Sequence, residues 1–96
     1  DNQIRSIPPE IRHLTKLEDF YLSGNQLQSL PTEIRCLKNL KNLSLRDNKL
    51  SSLPGEIAQL THLETMDLGN NAITLFPKSI PKLGIKNLYL GNNELS

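Results

Sequence analysis

Residues 40–50 read Leu-Lys-Asn-Leu-Ser-Leu-Arg-Asp-Asn-Lys-Leu, and this arrangement of leucine and asparagine recurs along a chain of 96 residues. The equivalent asparagines of the successive units, Asn2, Asn25, Asn48, Asn71 and Asn93, lie 23, 23, 23 and 22 residues apart. A fixed period of this length is typical of a solenoid, in which each unit buries its apolar face against its neighbours. We therefore predict a single domain, residues 1–96, of about four units. The breaks between units fall near 16/17, 39/40, 62/63 and 84/85.

Each unit contains the signals of two short elements. Apolar residues two positions apart, such as Leu43 and Leu45, predict strands at 20–22, 43–45, 66–68 and 88–90, stacked in parallel. The second half of the unit, as in Leu30–Leu37, reads leucine, proline, any residue, glutamate and isoleucine, with a leucine three residues later. This spacing predicts a short helical or 3-10 turn, with proline at its first position and glutamate in its first turn. The fold class is an α/β solenoid with a parallel concave sheet and convex turns.

The repeated asparagine follows each strand where the chain turns. A buried turn leaves backbone N–H and C=O groups without strand partners, and an asparagine side chain offers both donors and an acceptor. We expect the stacked side chains to bond those groups and each other. The members of this asparagine ladder are Asn2, Asn25, Asn48, Asn71 and Asn93.

These motifs resemble those of leucine-rich repeat proteins over essentially the whole chain. The 23-residue unit with its Leu-Pro-x-Glu-Ile segment is similar to the intracellular repeats of scaffold, Roco-type and bacterial repeat proteins. It is less like the 24-residue extracellular class, which prefers phenylalanine where this chain has Ile34 and Ile57. The resemblance implies a horseshoe fold and a protein-binding role, without naming a partner.

Alternate residues of each strand should face the open concave side. These positions vary from unit to unit, and tyrosine and arginine are frequent anchors of protein interfaces. We expect Tyr21, Tyr89 and Arg46 to be the anchors, with Asp19 and Asp67 as charge partners. A solvated face without a partner is the alternative. The full candidate set is Asp19, Tyr21, Ser23, Asn42, Ser44, Arg46, Thr65, Asp67, Asn87 and Tyr89.

Other residues give weaker signals. Glu18, Lys41, Glu64 and Lys86 alternate in charge at one unit position and predict a ladder of exposed ion pairs. His13 and His62 lie two units apart with no further ligands, so no metal site is expected. No catalytic motif or cofactor-binding loop is present, and the chain is not expected to be an enzyme. Asn42-Leu43-Ser44 matches a glycosylation acceptor, and a glycan there would obstruct the concave face.

Composition limits the partners. The formal net charge of +1 gives no general attraction to nucleic acid, and no apolar run reaches the roughly 18 residues of a membrane span. Cys36 is the only cysteine, which excludes an internal disulfide and favours a reducing, cytoplasmic location. The chain begins and ends inside the repeat, so we expect a fragment of a longer array. Its uncapped edges predict self-association.

One unit departs from the pattern. The last spacing is a residue short near Leu83-Gly84-Ile85, Pro81 falls within the convex segment, and Phe76 and Ser79 replace the usual leucine and glutamate. Repeat drift, a unit near the end of the array and an insertion for a partner all remain open. Three functions also remain open: a protein-binding scaffold or adaptor module, the targeting domain of a larger signalling enzyme or effector, and a structural spacer.

Overall fold

The computed structural model describes residues 3–74 and 85–93. Four strands form one parallel sheet in chain order, with each strand bonded to the next. They are β1 (Asp19–Tyr21), β2 (Asn42–Ser44), β3 (Thr65–Asp67) and β4 (Asn87–Tyr89). Residues one repeat apart are direct partners, as Leu43 is of Met66. The α/β solenoid predicted from the period is confirmed.

The strands begin and end one residue earlier than the sequence pattern predicts. The predicted ranges followed the two inward residues of each unit, whereas each observed strand centres on the first of them. The second still bonds to the next repeat: the N–H of Leu22 donates to Ser44 O at 2.8 Å, and that of Leu45 to Asp67 O at 2.8 Å. Each strand therefore has three residues: one inward side chain at the centre and one outward side chain before and after it.

Three 3-10 helices form the convex side within the described residues: η1 (Pro9–His13), η2 (Thr32–Cys36) and η3 (Gly55–Gln59). Each has an acidic residue in its first turn, where free N–H groups favour an anion. The prediction of proline at the first helical position is wrong for Pro31 and Pro54. Both take the N-cap position with extended backbone, at ψ 153° and 146°. The chain enters the turn only after the proline, whose fixed φ suits that entry.

The apolar residues form one column between the sheet and the helices. The inward leucines of the third and fourth units, such as Leu45 and Leu68, are fully buried. The ends of the column are less buried than its middle. Leu14 is 49% exposed and Leu88 is 37% exposed. Each lies in a terminal unit of the described column, so a neighbouring repeat covers it on one side only.

The asparagines Asn25, Asn48, Asn71 and Asn93 occupy equivalent places behind the strands. The Nδ2 of Asn48 donates to the carbonyls of Leu22 at 3.0 Å and Leu45 at 2.9 Å, and its Oδ1 accepts from the N–H of Leu27 at 3.1 Å. Asn71 repeats this set one unit further on. The expectation that ladder asparagines also bond each other is wrong in the described part of the chain. Backbone groups of two repeats use the whole amide, so it links units without a side-chain partner. Asn2 lies outside the described residues.

Candidate functional site

The concave face is built from the outward residues of the four strands and the turns that follow them. Tyr21 on β1 is 66% exposed, and Tyr89 on β4 is 51% exposed. Three strand spacings separate them, which is about 14 Å. Between them lie Ser44 and Asp67, their register partners on β2 and β3. The face is therefore polar in the middle, with an exposed aromatic ring at each end.

Arg46 and Asp67 form the one ion pair on this face within the described ranges. The Nη1 of Arg46 lies 3.3 Å from Oδ1 of Asp67, and the side chains remain 43% and 23% exposed. The same carboxylate oxygen accepts the N–H of Gly69 at 3.0 Å. Asp67 thus fixes both the guanidinium and the turn after β3. Among the described residues, no other acceptor bonds this guanidinium, so its remaining donors can meet a partner's acceptors.

Hydrogen bonds between neighbouring strands order the other polar side chains. Ser23 and Ser44 share a bond of 2.7 Å between their hydroxyls. The Nδ2 of Asn42 donates to Oδ1 of Asp19 at 2.7 Å. A weaker bond of 3.4 Å joins Asn87 to the hydroxyl of Thr65. The predicted face residues are therefore brought onto one surface, where cross-strand bonds hold the small ones and leave the tyrosines outward.

The rim beyond this face carries a second polar row. Asp47, Asn70 and Asn92 have positive φ values of 60°, 56° and 61°, a region that disfavours most side chains. Asn70 donates to Asp47 at 2.6 Å, and Asn92 donates to Asn70 at 2.7 Å. Short polar side chains tolerate this conformation best, which explains why only Asp and Asn stand at the three positions.

The predicted charge ladder is only partly formed. Lys41 Nζ lies 3.6 Å from Glu18 Oε1. Among the residues that the structure describes, no ion pair joins Glu64 to Lys41 or to Lys86. The alternating charges are all on exposed side chains. The side-chain entropy lost when such a pair forms is about as large as the screened electrostatic energy gained.

The remaining candidates do not converge. His13 and His62 are exposed and belong to different units, and Cys36 is half-buried. No group of three metal-ligating side chains occurs within residues 3–74 and 85–93. The irregular segment with Phe76, Ser79 and Pro81 lies outside the described residues. Asn42 of the acceptor motif has its Nδ2 bonded to Asp19, on the face that a glycan would cover.

Sequence reasoning missed a cluster of positive side chains at the edge where the chain enters the strands. Arg12, Lys16 and Lys38 line an open cleft of about 610 Å³ between the first two repeats. A signal was available, because Arg12 and Arg35 occupy one unit position and lysines lie close by in both units. The third unit has no lysine or arginine at those places.

Known proteins with the same repeat have the same fold. The leucine-rich repeat family model matches residues 1–50 and 38–95. A leucine-rich repeat protein of Leptospira interrogans is 47% identical, with a TM-score of 0.95 over 99% of this chain. An internalin of Listeria monocytogenes, InlF, is 23% identical, with a TM-score of 0.83 over 100% of this chain, and it shows likeness of fold. The chain belongs to the leucine-rich repeat family.

This chain spans 24% of the Leptospira chain and 28% of the internalin chain. Comparison with curated proteins found no match. In the described ranges, no helix has the length and hydrophobicity needed to span a membrane.

Proposed function

We propose that this chain is a protein-binding module, with a scaffold or adaptor role, that receives a folded partner or a peptide on its concave sheet. The observation that carries the proposal is the exposure of Tyr21 and Tyr89 at the two ends of one ordered polar face. An exposed tyrosine offers apolar area and a hydroxyl at low entropic cost, which suits an interface anchor.

The ordered polar side chains in the middle of the face would orient a bound partner. Arg46 is held by Asp67, so a partner carboxylate or carbonyl meets a guanidinium that is already positioned. Ser23 and Ser44 are bonded to each other, and Asn42 to Asp19. A preordered surface loses less side-chain entropy on association than a flexible one. The family's use as an interaction module supports the same reading.

The test begins with identification of a partner by position. A photo-crosslinking amino acid is placed at Tyr21 or at Tyr89, and in a control at the exposed convex residue Gln59. A partner of the concave face is captured from both strand positions and not from the control. Capture that is equal at all three positions contradicts the proposal.

Affinity for the purified partner is then measured for Tyr21→Ala, Arg46→Ala and Tyr89→Ala. At least one change should weaken binding by more than about 1 kcal/mol, the threshold of an energetic anchor. Gln28→Ala and Lys49→Ala are exposed controls away from the strands, and their affinity should stay unchanged. Unchanged affinity in all three face variants removes the concave sheet as the binding surface.

A further inference from the structure

A second surface on this chain carries charge that the repeat itself does not use. The basic cleft, defined by Arg12, Thr15, Lys16, Cys36, Lys38 and Asn39, lies between the turns that lead from η1 to β1 and from η2 to β2. Its volume is about 610 Å³. The cleft opens on the edge where the chain enters the strands, so the concave sheet remains a separate surface.

The charge in the basic cleft is of one sign and is not compensated. Arg12, Lys16 and Lys38 are exposed, and no acidic residue from the described part of the chain lines the cleft. Over the described residues, none of these cations forms an ion pair, because the two pairs present are Lys41 with Glu18 and Arg46 with Asp67. Three cations that share a concavity without a counterion attract an external anion.

The cleft is also held in shape. The Nδ2 of Asn39 donates to the carbonyl of Thr15 at 2.9 Å and joins the two turns across the repeat boundary. The Nη1 of Arg12 donates to the carbonyl of Pro9 at 3.3 Å, which anchors one side of the guanidinium to the helix. No other bond of that group is formed within residues 3–74 and 85–93, so its other donors can meet a ligand.

The solenoid does not require these charges. The third unit has Ala58 at the place of Arg12, Thr61 at that of Lys38, and His62 at that of Lys16. The helix η3 of that unit and the strand β3 that follows it nevertheless form as the others do. The basic residues are thus a feature of the first two units and not a need of the fold.

We propose that the basic cleft binds an acidic segment of a protein partner, whose aspartate or glutamate side chains enter the cleft and pair with Arg12, Lys16 and Lys38. Charge and shape favour this occupant. Carboxylates on flexible side chains can enter a concavity, whereas a bilayer presents a broad plane. Nucleic acid is bound along extended basic tracks that follow its phosphates, and this chain has a formal net charge of only +1.

The test uses a fluorescent peptide of alternating glutamate and glycine, and the same peptide with glutamine in place of glutamate. Anisotropy titrations compare the native chain with Arg12→Gln/Lys16→Gln/Lys38→Gln. The matched control is Arg5→Gln/Lys49→Gln/Lys86→Gln, which removes one arginine and two lysines from exposed sites elsewhere. All six positions are exposed, and circular dichroism checks that both variants remain folded.

The acidic peptide should bind the native chain and the control alike, and about tenfold more weakly to the cleft variant, since three ordinary exposed ion pairs are lost together. The glutamine peptide should not bind. Amide NMR signals of Thr15 and Lys38 should shift on titration, while those of Thr61 stay in place. Equal weakening in both variants, or stronger cleft-dependent binding of anionic phospholipid vesicles or a single-stranded oligonucleotide, overturns the proposal.

Discussion

A Cβ atom on Gly69 would overlap the guanidinium of Arg46. An ideal Cβ at that position stands 3.0 Å from Cζ of Arg46 and 3.2 Å from Oδ1 of Asp67, and both distances are shorter than most contacts that a Cβ atom makes. The absence of a side chain at residue 69 therefore lets Arg46 cross to the next repeat and reach Asp67. Because Gly69 does not have a positive φ, the glycine serves this close approach and not the backbone conformation.

Replacement of Gly69 by alanine should displace Arg46 without unfolding the chain. The obstructing atoms belong to the end of a flexible side chain, so the expected change in unfolding free energy is within about 1 kcal/mol. The Nε–Hε signal of Arg46 in NMR spectra should move. Gly91→Ala is the control, because a Cβ there meets nothing within 4 Å. An unmoved Arg46 signal in the Gly69 variant would contradict the proposed role of this glycine.

The ion pair between Arg46 and Asp67 should contribute modestly to stability. A double-mutant cycle with Arg46→Gln and Asp67→Asn, followed by urea unfolding, should give a coupling energy of about 0.2–1 kcal/mol, because both side chains are partly exposed and screened. The coupling should fall as salt is raised. A coupling well above this range would show that the pair is shielded from solvent more than its exposure indicates.

Removal of a ladder asparagine should be costlier than removal of an exposed one. Asn48→Ala leaves the buried N–H of Leu27 and the carbonyl of Leu45 without this partner, so we expect a loss of about 1–3 kcal/mol in unfolding free energy. Asn39→Ala is the control, since it removes one exposed bond to Thr15 and should cost less than about 1 kcal/mol. Equal losses for the two variants would argue against a structural role specific to the buried amide.

The rim position of the second complete unit should reject branched side chains. Asp47 has φ 60°, and a valine there would place its branched Cβ in a strained backbone conformation. Asp47→Val should cost about 1–3 kcal/mol in unfolding free energy, measured by chemical denaturation. Asp47→Asn keeps a side chain that tolerates this conformation and should change stability little. An unchanged unfolding free energy in the valine variant would mean that the turn relaxes to another conformation.

The sequence pattern predicts which residues lie on the candidate site, but not which of them bond to each other. The outward residues of the strands, among them Tyr21 and Tyr89, follow from the two-residue period once the solenoid is accepted. The pairing of Arg46 with Asp67 and the bond between Ser23 and Ser44 join residues 21 positions apart. Rotamers and neighbouring side chains decide such contacts, and the repeat pattern contains neither.

The amino-acid sequence by itself determined the period, the parallel stack, the inward leucines and the places of the asparagines. These features recur in every unit, so burial of the same positions is the one arrangement that satisfies them all. The tertiary structure decided the contacts between neighbouring units whose residues differ. It showed that the asparagines bond to backbone groups and that Leu14 and Leu88 are exposed at the ends of the column. It also showed that Arg46 lies over Gly69. Three cations, Arg12, Lys16 and Lys38, line one cleft. Such contacts join distant residues whose identities do not repeat, and only the packing of neighbouring units brings them together.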